Sequence, residues 1–305
     1  MAFKLVHISD IHLGPLPRVE IRQLLSKRIT GYVNWHRNRA AAMGEETLAR
    51  LTAAIARHRP DHVVVTGDLT NLALEAEIRA AALWLEDLGP ADRVSVVPGN
   101  HDAYVRGALD RAFAGWAPWM TDDEGRAPRS NAQFPFVRVR GDVALIGTSS
   151  AVATPAFVAA GRFEADQAER LGRMLDETGR QGLFRVVLIH HPPVRGATKP
   201  SKRLYGIGRF QRTIADHGAE LVLHGHTHLP QRNAMAGPAG VPVPVIGVSA
   251  AGQAHSHHMP AGAFNAFEIE RAGNGWSCSM KTWSATTEAG PMEVTDKRTL
   301  WPNPA

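Results

Sequence analysis

Cysteine is almost absent from this sequence of 305 residues, which contains only Cys278. An intramolecular disulfide is therefore excluded, and this favours a reducing compartment. No apolar run approaches the roughly 18 residues that a membrane-spanning helix needs. The N-terminus also lacks the basic, apolar and small-residue pattern of a signal peptide, and internal repeats are missing. We therefore expect a cytoplasmic globular protein.

Strong net charge is also lacking. The formal charge is only +5, with a pI near 9.7. A mild basic excess fits an anionic small molecule, nucleic acid or an acidic membrane surface, and does not choose among them. The hydrophobic content of 44% is enough for a large core. We expect one domain over residues 1–285 and a loose, proline-containing tail over residues 286–305.

Acidic residues are scarce in two basic stretches. In the first, an insert over residues 15–40, apolar residues fall near helical spacing and Glu20 is the only acid after Arg18. A basic amphipathic helix of this kind either lies on an anionic membrane, through residues 18–39, or packs on the domain as a lid. The second stretch, residues 195–212, has no acid. It forms either an anion-binding rim or a solvated loop.

Strand and helix patterns alternate along most of the chain. Short β-branched runs predict strands near residues 3–9, 62–66, 93–97, 185–189 and 220–223, with helices at 46–57 and 74–88 between the first three. This order predicts a layered α/β fold with mostly parallel strands. Residues 104–129 look irregular. The histidines at 255, 257 and 258 fall in a Gly/Ala-rich loop, either as substrate contacts or in solvent.

Polar side chains follow five of the predicted strands at the point where each one ends. Parallel strands bring these ends to one edge, where α/β proteins bind ligands. Imidazoles and carboxylates crowded together without a partner would cost several kcal/mol in desolvation, and metal ions remove that cost. The set mixes nitrogen and oxygen ligands without a thiolate, which suits Mn²⁺, Zn²⁺ or iron. Its members are Asp10, His12, Asp68, Asn100, His190, His226 and His228.

Seven ligands exceed the four of a tetrahedral zinc site. Their number matches two ions that share a bridging carboxylate, about 3.5–4 Å apart, an arrangement that serves phosphoryl transfer. The ordered motifs Asp10-Ile11-His12, Gly67-Asp68, Gly99-Asn100-His101-Asp102, His190 and Gly225-His226-Thr227-His228 resemble the full signature of the calcineurin-like metallophosphoesterase family. The resemblance implies a four-layer α/β/β/α sandwich, where the strand pattern alone suggests three layers.

The resemblance also implies roles by position. Asp10, His12 and His228 would hold the first metal, while Asn100, His190 and His226 would hold the second. Asp68 would bridge them, and His190 is preferred to His191 as the ligand. His101 would stabilise the transition state or protonate the leaving group, with Asp102 orienting it. Substrate contacts are expected from His191, Arg195, Lys202 and Arg203.

The function expected from this resemblance is hydrolysis of a phosphodiester, of the cyclic nucleotide or glycerophosphodiester type, by a metal-activated hydroxide. The alternative is a lipid-linked pyrophosphate hydrolase of the UDP-diacylglucosamine hydrolase type, peripheral to the membrane. A nuclease is a weaker candidate, because no platform of aromatic and basic residues is evident. A metal-stabilised scaffold without activity is weaker still, because every ligand position is filled. The oligomeric state is left open, a homo-oligomer included.

Overall fold

Runs of β-branched and apolar residues form strands almost where the sequence predicts them. The computed structural model describes residues 2–39, 44–254, 259–273, 275–287 and 290–301. In chain order the strands are β1 (Phe3–Ile8), β2 (His62–Val65), β3 (Val94–Val96), β4 (Phe136–Arg140), β5 (Val143–Gly147), β6 (Gly161–Arg162), β7 (Phe184–Leu188), β8 (Leu204–Tyr205), β9 (Leu221–His224), β10 (Gln231–Ala236), β11 (Pro242–Gly247), β12 (Ala263–Ala272), β13 (Gly275–Ala285) and β14 (Met292–Trp301).

The helices occupy the segments between strands. They are α1 (Ile21–Leu24), α2 (Arg28–Asn34), α3 (Glu45–His58), α4 (Glu75–Leu88), α5 (Ala108–Met120), α6 (Ala165–Arg180) and α7 (Ile207–His217). A π-helical turn, Trp35–Arg39, follows α2, and short 3₁₀ turns lie at Asn131–Gln133, Pro200–Lys202 and Pro238–Gly240. No helix in these described ranges is both long and apolar enough to cross a bilayer.

The described strands form two six-stranded sheets and one short pair. The first sheet has the order β14-β13-β12-β1-β2-β3, with β1, β2 and β3 parallel. The second has the order β10-β11-β9-β7-β5-β4, with its four central strands parallel and its two edge strands antiparallel. Strands β6 and β8 make the small parallel pair. Each large sheet therefore contains a block of parallel strands, and the loops that follow these strands lie at the same edge of the sheet.

The second sheet lies between two layers of hydrophobic core. Because successive side chains of a strand point to opposite faces, the second sheet packs on both sides. One face joins the large core shared with the first sheet, through Leu145, Val186, Leu188, Leu221 and Leu223. The other face joins a second core with α6 and α7, through Ile146, Val187, Val222, Leu171 and Ile214. Helices α3 and α4 bury their apolar faces on the first sheet side of the large core. The four-layer sandwich is confirmed.

Residues 104–129 are more regular than the sequence predicts, because α5 occupies half of them. Pro118 lies in its last turn, where the Pro118 carbonyl accepts a hydrogen bond from the guanidinium of Arg138. Trp116 is fully buried and donates its indole N–H to the Ile78 carbonyl, 3.0 Å away. Trp116 and Trp119 therefore anchor the segment in the large core. The tryptophans and Pro118 obscure the helical pattern of this segment in the sequence.

The expectation of a loose tail over residues 286–305 is wrong for Met292–Trp301. That segment is β14, which pairs antiparallel with β13 along the edge of the first sheet. Leu300 and Met292 are buried in the large core, and Trp301 donates its indole N–H to the Glu220 carbonyl on the side of the other sheet. Pro302 and Pro304, on which the expectation rested, fall outside the described residues.

Candidate metal centre

The candidate site lies at the carboxyl ends of five parallel strands. Three of them, β1, β2 and β3, are neighbours in the first sheet, and two, β7 and β9, are neighbours in the second. Asp10 and His12 follow β1, Asp68 follows β2, and Asn100 follows β3, while the histidine pairs follow β7 and β9. The two sheets therefore supply opposite sides of a single site.

Five of the seven predicted ligands adopt a left-handed backbone conformation. Such a conformation is uncommon for residues other than glycine and costs on the order of 1–3 kcal/mol each when the surroundings enforce it. The positive φ angles are 54° at Asp10, 46° at His12, 56° at Asp68, 72° at His226 and 58° at His228. The strand ends curl in this way because the side chains must turn into one site instead of continuing along the sheet.

A first cluster contains Asp10, His12 and His228. His12 Nε2 lies 3.3 Å from His228 Nε2, which in turn lies 3.3 Å from Asp10 Oδ1. The other ring nitrogen of His12 faces the Thr70 carbonyl at 3.1 Å and therefore donates to it, leaving the Nε2 lone pair directed into the cluster. Asp10 Oδ1 is buried and makes no hydrogen bond of regular geometry within the part of the chain that the structure describes, although it faces His228 Nε2.

A second cluster contains Asn100, His190 and His226. His190 Nε2 lies 3.2 Å from Asn100 Oδ1, and its Nδ1 donates to the Thr66 carbonyl at 2.6 Å. His226 instead donates from Nε2 to the Lys202 carbonyl, 3.0 Å away. In both rings a backbone acceptor fixes the tautomer, so that the opposite nitrogen carries the lone pair.

Asp68 lies between the two clusters. Its Oδ2 is 3.8 Å from His12 Nε2 and 3.4 Å from His190 Nε2, and its Oδ1 accepts a hydrogen bond of 2.7 Å from the His101 amide. Gly99 packs directly against this carboxylate, with no room for a Cβ atom. A single oxygen of Asp68 thus reaches histidines of both clusters, the position that a bridging ligand requires.

The charges of the protein itself prepare these groups to bind cations. Burial opposes ionisation of Asp68, but His190 and His101 outweigh it and lower the pKa of the carboxyl well below its usual value. Burial also opposes the charged form of His190, yet Asp68 and Asp10 raise its pKa to about 9. For His226, burial and the neighbouring His191 and His190 lower the pKa well below its usual value. The negative charge of Asp68 and the positively charged form of His190 therefore stabilise each other.

The donor set fits two metal ions. Each cluster offers imidazole nitrogens and an oxygen, the second cluster through an amide, with Asp68 available to both. An unsatisfied buried carboxylate oxygen at Asp10 is a cost that a cation removes. The described residues contain four overlapping sets of three histidine or aspartate ligand atoms, and the atoms of each set lie within 4.8 Å of one another. Every set includes at least one of Asp10, Asp68 and His190. Metal binding requires His190 in its unprotonated form.

The amino-acid sequence matches the model of the calcineurin-like phosphoesterase family over residues 3–230. The match covers most of the chain and contains both metal clusters. The chain belongs to this family. It is accordingly a hydrolase of the metallophosphoesterase type, a family whose members use a dinuclear metal centre. A comparison with curated protein sequences finds no match.

Several solved structures share this fold at low sequence identity. A dimetal phosphatase from Danio rerio is 14% identical, with a TM-score of 0.63 and 98% of both chains covered. A purple acid phosphatase from yellow lupin is 13% identical, with a TM-score of 0.61, and 98% of this chain covers 53% of that one. A 5'-nucleotidase precursor from Thermus thermophilus is 17% identical, with a TM-score of 0.56, and 96% of this chain covers 56% of that one. This chain spans about half the length of the last two, and the likeness shows the fold.

In this metallophosphoesterase site, the ring of His101 stands beside the first cluster. Its centroid lies 4.8 Å from that of His12, with the rings edge to face, and 5.4 Å from that of Tyr104. His101 Nδ1 donates to the Asn71 carbonyl at 2.6 Å. Because a carbonyl only accepts, this bond persists whether the ring is neutral or charged, and proton exchange takes place at Nε2.

The structure does not support the expectation that Asp102 orients His101. The buried Asp102 carboxylate accepts five hydrogen bonds from other groups: the amides of Asp68, Leu69, Thr70 and Gly99, and the Thr70 hydroxyl, at 2.8–3.1 Å. It fastens the loop that carries Asp68 to the loop that carries Asn100. The backbone of Asn71 takes the orienting role at His101, and adjacency in the sequence had suggested otherwise.

The four expected substrate contacts are dispersed. Lys202 lines the pocket over the clusters. His191 is fully buried, with Nδ1 2.8 Å from Ser150 Oγ and Nε2 3.2 Å from the Ala159 carbonyl, so its ring supports the site from behind. Arg195 lines a separate surface cavity against α7, and Arg203 stacks on Tyr205. The histidines at 255, 257 and 258 lie outside the described residues.

A pocket that sequence reasoning missed adjoins the clusters. Its volume is about 330 Å³, and it runs from Asn100, His101 and Lys202 to the inner side of α2. Three aromatic side chains, Trp35, Tyr104 and Phe157, contribute to its lining, and we call it the aromatic pocket. Lys27 crosses its edge, with Nζ 4.5 Å above the Tyr104 ring and 2.9 Å from Thr154 Oγ1. Tyr104 follows the Asn-His-Asp turn by two positions, but nothing in the sequence singles out Phe157.

Proposed function

We propose that the chain hydrolyses a phosphodiester at a centre of two metal ions. Asp10, His12 and His228 would hold one ion, Asn100, His190 and His226 the other, and Asp68 both. The single observation that carries the proposal is the position of Asp68 between the two clusters. When bound, such ions supply an activated water and charge neutralisation of the phosphoryl oxygens. Manganese, iron and zinc all suit this nitrogen and oxygen set.

The residues of the chain itself would orient the substrate and move a proton. Lys202 stands over the clusters, where its ammonium can neutralise a phosphoryl oxygen. His101, held by the Asn71 carbonyl, would donate a hydrogen bond or a proton from Nε2 to the leaving oxygen. Trp35 and Tyr104 offer apolar surface for an organic substituent beyond it.

Two adjoining pockets beside the clusters favour a diester. The pocket over the clusters extends to Thr227 and Met259, and the aromatic pocket, which shares His101 and Lys202 with it, extends to α2. A phosphodiester has an organic group on each of two ester oxygens, and both pockets would then be filled. A cyclic nucleotide or a glycerophosphodiester has the size that these pockets admit. We expect this activity in the cytoplasm, which also suits the buried free thiol of Cys278.

The proposal is tested by comparing bis(p-nitrophenyl) phosphate with p-nitrophenyl phosphate on protein loaded with Mn²⁺. We expect kcat/KM for the diester to exceed that for the monoester by about tenfold or more, equivalent to about 1.4 kcal/mol of transition-state binding. A preference for the monoester would contradict diester specificity while leaving the metal centre in place. Inactivity on both, with two metals bound per chain, would contradict the soluble-diester proposal and favour the second candidate.

The second candidate is hydrolysis of a lipid-linked pyrophosphate. One observation favours it: four aliphatic side chains of the 15–40 insert are exposed to solvent on the segment that forms the rim of the aromatic pocket. A substrate anchored in a bilayer would reach the clusters past this rim.

Replacing His101 with alanine separates its role from metal binding. We expect kcat to fall about 10²- to 10⁴-fold, the range for loss of a general acid, with metal content unchanged by elemental analysis. His217→Ala is a matched control, because His217 is a partly exposed histidine paired with Asp176 on the surface. Loss of one metal from His101→Ala would instead identify His101 as a ligand.

A further inference from the structure

The insert over residues 15–40 packs with two of its basic side chains inward. Arg28 donates from Nε to the Leu72 carbonyl at 2.9 Å and from Nη2 to the Ala73 carbonyl at 2.7 Å. Lys27 donates to the carbonyl and hydroxyl oxygens of Thr154. Gly31 approaches Tyr104 and Leu72 too closely for any Cβ atom. The side of the insert that carries Lys27 and Arg28 is therefore the side attached to the protein.

Four of its aliphatic side chains face solvent. The apolar stripe consists of Ile21, Leu25, Ile29 and Val33, spaced four residues apart along the segment that contains α1 and α2. Ile21 and Leu25 are 82% and 81% exposed, and the other two more than 40%. An amphipathic helix in a globular protein normally turns its apolar residues to the core. Other apolar residues of the insert, Tyr32 among them, do pack inward on the cluster that contains Leu72 and Tyr104, whereas the stripe remains exposed.

An exposed phenylalanine continues this surface across the pocket mouth. Phe157 is 87% exposed at a positive φ of 65°, and it shares the lining of the aromatic pocket with Thr30, Asn34 and Trp35 of the insert. A left-handed conformation presents the ring outward instead of letting the loop fold it onto the protein. The aromatic pocket is therefore lined both by Phe157 and by residues of α2, the helix that carries Ile29 and Val33 of the stripe.

Exposed arginines flank the stripe in the sequence. Residues 18–39 contain seven basic side chains, of which Lys27 and Arg28 point inward, and one acid, Glu20, which pairs with Arg22. Arg18, Arg22 and Arg37 are exposed. Two copies of this surface placed face to face would bring like charges together, which disfavours a dimer through it. An anionic surface satisfies both the aliphatic row and the arginines.

We propose that the apolar stripe and Phe157 dock the protein on an anionic lipid bilayer, with the mouth of the aromatic pocket at the membrane surface. The stripe enters the boundary between headgroups and acyl chains, and the arginines contact anionic headgroups. This inference concerns a surface outside the metal clusters. It therefore holds or fails independently of the proposed diesterase activity.

The test is flotation of the full-length protein with phosphatidylcholine vesicles, with and without phosphatidylglycerol. We expect the wild type to float with the anionic vesicles, and the bound fraction to fall as salt is added. Leu25→Glu should bind about tenfold more weakly or worse, because it removes an inserted aliphatic group and adds repulsion. Leu83→Glu is the matched control: Leu83 is 62% exposed on α4, away from the stripe, and should bind as the wild type does.

Three results would overturn the proposal. In the first, the wild type stays unbound to anionic vesicles or binds neutral ones equally well. In the second, Leu25→Glu and Leu83→Glu float alike. In the third, light scattering without lipid reveals a dimer that only Leu25→Glu dissociates, in which case a second copy covers the stripe. Turnover of the soluble diester should be unchanged in Leu25→Glu, and Asp68→Ala should float normally, so failure of docking is distinct from failure of the metal centre.

Discussion

Asp68→Ala is expected to lose the shared ligand of both metal ions and at least about 10³-fold in kcat/KM, corresponding to about 4 kcal/mol. The physical reason is that one oxygen of Asp68 reaches His12 and His190 together. Without Asp68, no negatively charged ligand lies between the histidines of the two clusters, and we expect both ions to bind more weakly. Metal content by elemental analysis and turnover of bis(p-nitrophenyl) phosphate are the two measurements.

Asp68→Asn and Asp61→Ala make the comparison specific. The asparagine keeps the shape of Asp68 and one oxygen but removes the negative charge, and we expect most of the loss to persist. Asp61 is an exposed carboxylate that accepts a hydrogen bond from the Lys4 amide, at the opposite ends of β1 and β2 from the clusters, and its variant should behave as the wild type does. Full turnover in an Asp68→Ala protein that still carries two metals would contradict the assignment.

The strands were predictable where a run of β-branched residues in the sequence coincides with a position buried in the core. Strands such as Val63-Val64-Val65 are buried on both faces, so a continuous β-branched run marks them without reference to the rest of the chain. The convergence of the ligands followed from the same strands, because parallel neighbours end at one edge. The resemblance in the motif order supplied the fourth layer, which the strand pattern alone did not.

The insert over residues 15–40 was not predictable in orientation. Its hydrophobic spacing indicates an apolar face and a basic face, but which face turns inward depends on acceptors elsewhere. Arg28 turns inward because the Leu72 and Ala73 carbonyls end a buried loop there, and Lys27 does so because Thr154 approaches from another segment. Neither partner is close in sequence. β14 escaped prediction for a similar reason, since its charged residues fit a strand only at a sheet edge.

Asp102 shows the same limit at the site. Sequence adjacency to His101 suggested a carboxylate that orients an imidazole, a common arrangement. The actual partners include four amides of two loops that come together only in the folded chain. Asp68 has a left-handed backbone conformation, and its amide donates a hydrogen bond to Asp102. The strained backbone of this ligand is therefore held in place by the Asp102 carboxylate.

Asp102→Ala should therefore destabilise the protein and empty the site, unlike His101→Ala. Four buried amides would lose their acceptor, and each unsatisfied group costs about 1–3 kcal/mol. Allowing for relaxation and water entry, we expect unfolding in urea to show a loss of about 3–5 kcal/mol, measured without metal so that binding does not contribute.

The loops that Asp102 joins carry Asp68 and Asn100, so metal content should fall together with turnover. Asp102→Asn should recover only part of both, because an amide keeps one acceptor oxygen but turns a donor toward backbone N–H groups. The competing view, in which Asp102 orients His101, predicts something else: wild-type stability, two bound metals and a loss of kcat equal to that of His101→Ala. Unfolding and metal content of the Asp102 variants thus decide between a carboxylate that builds the site and one that only orients an imidazole within it.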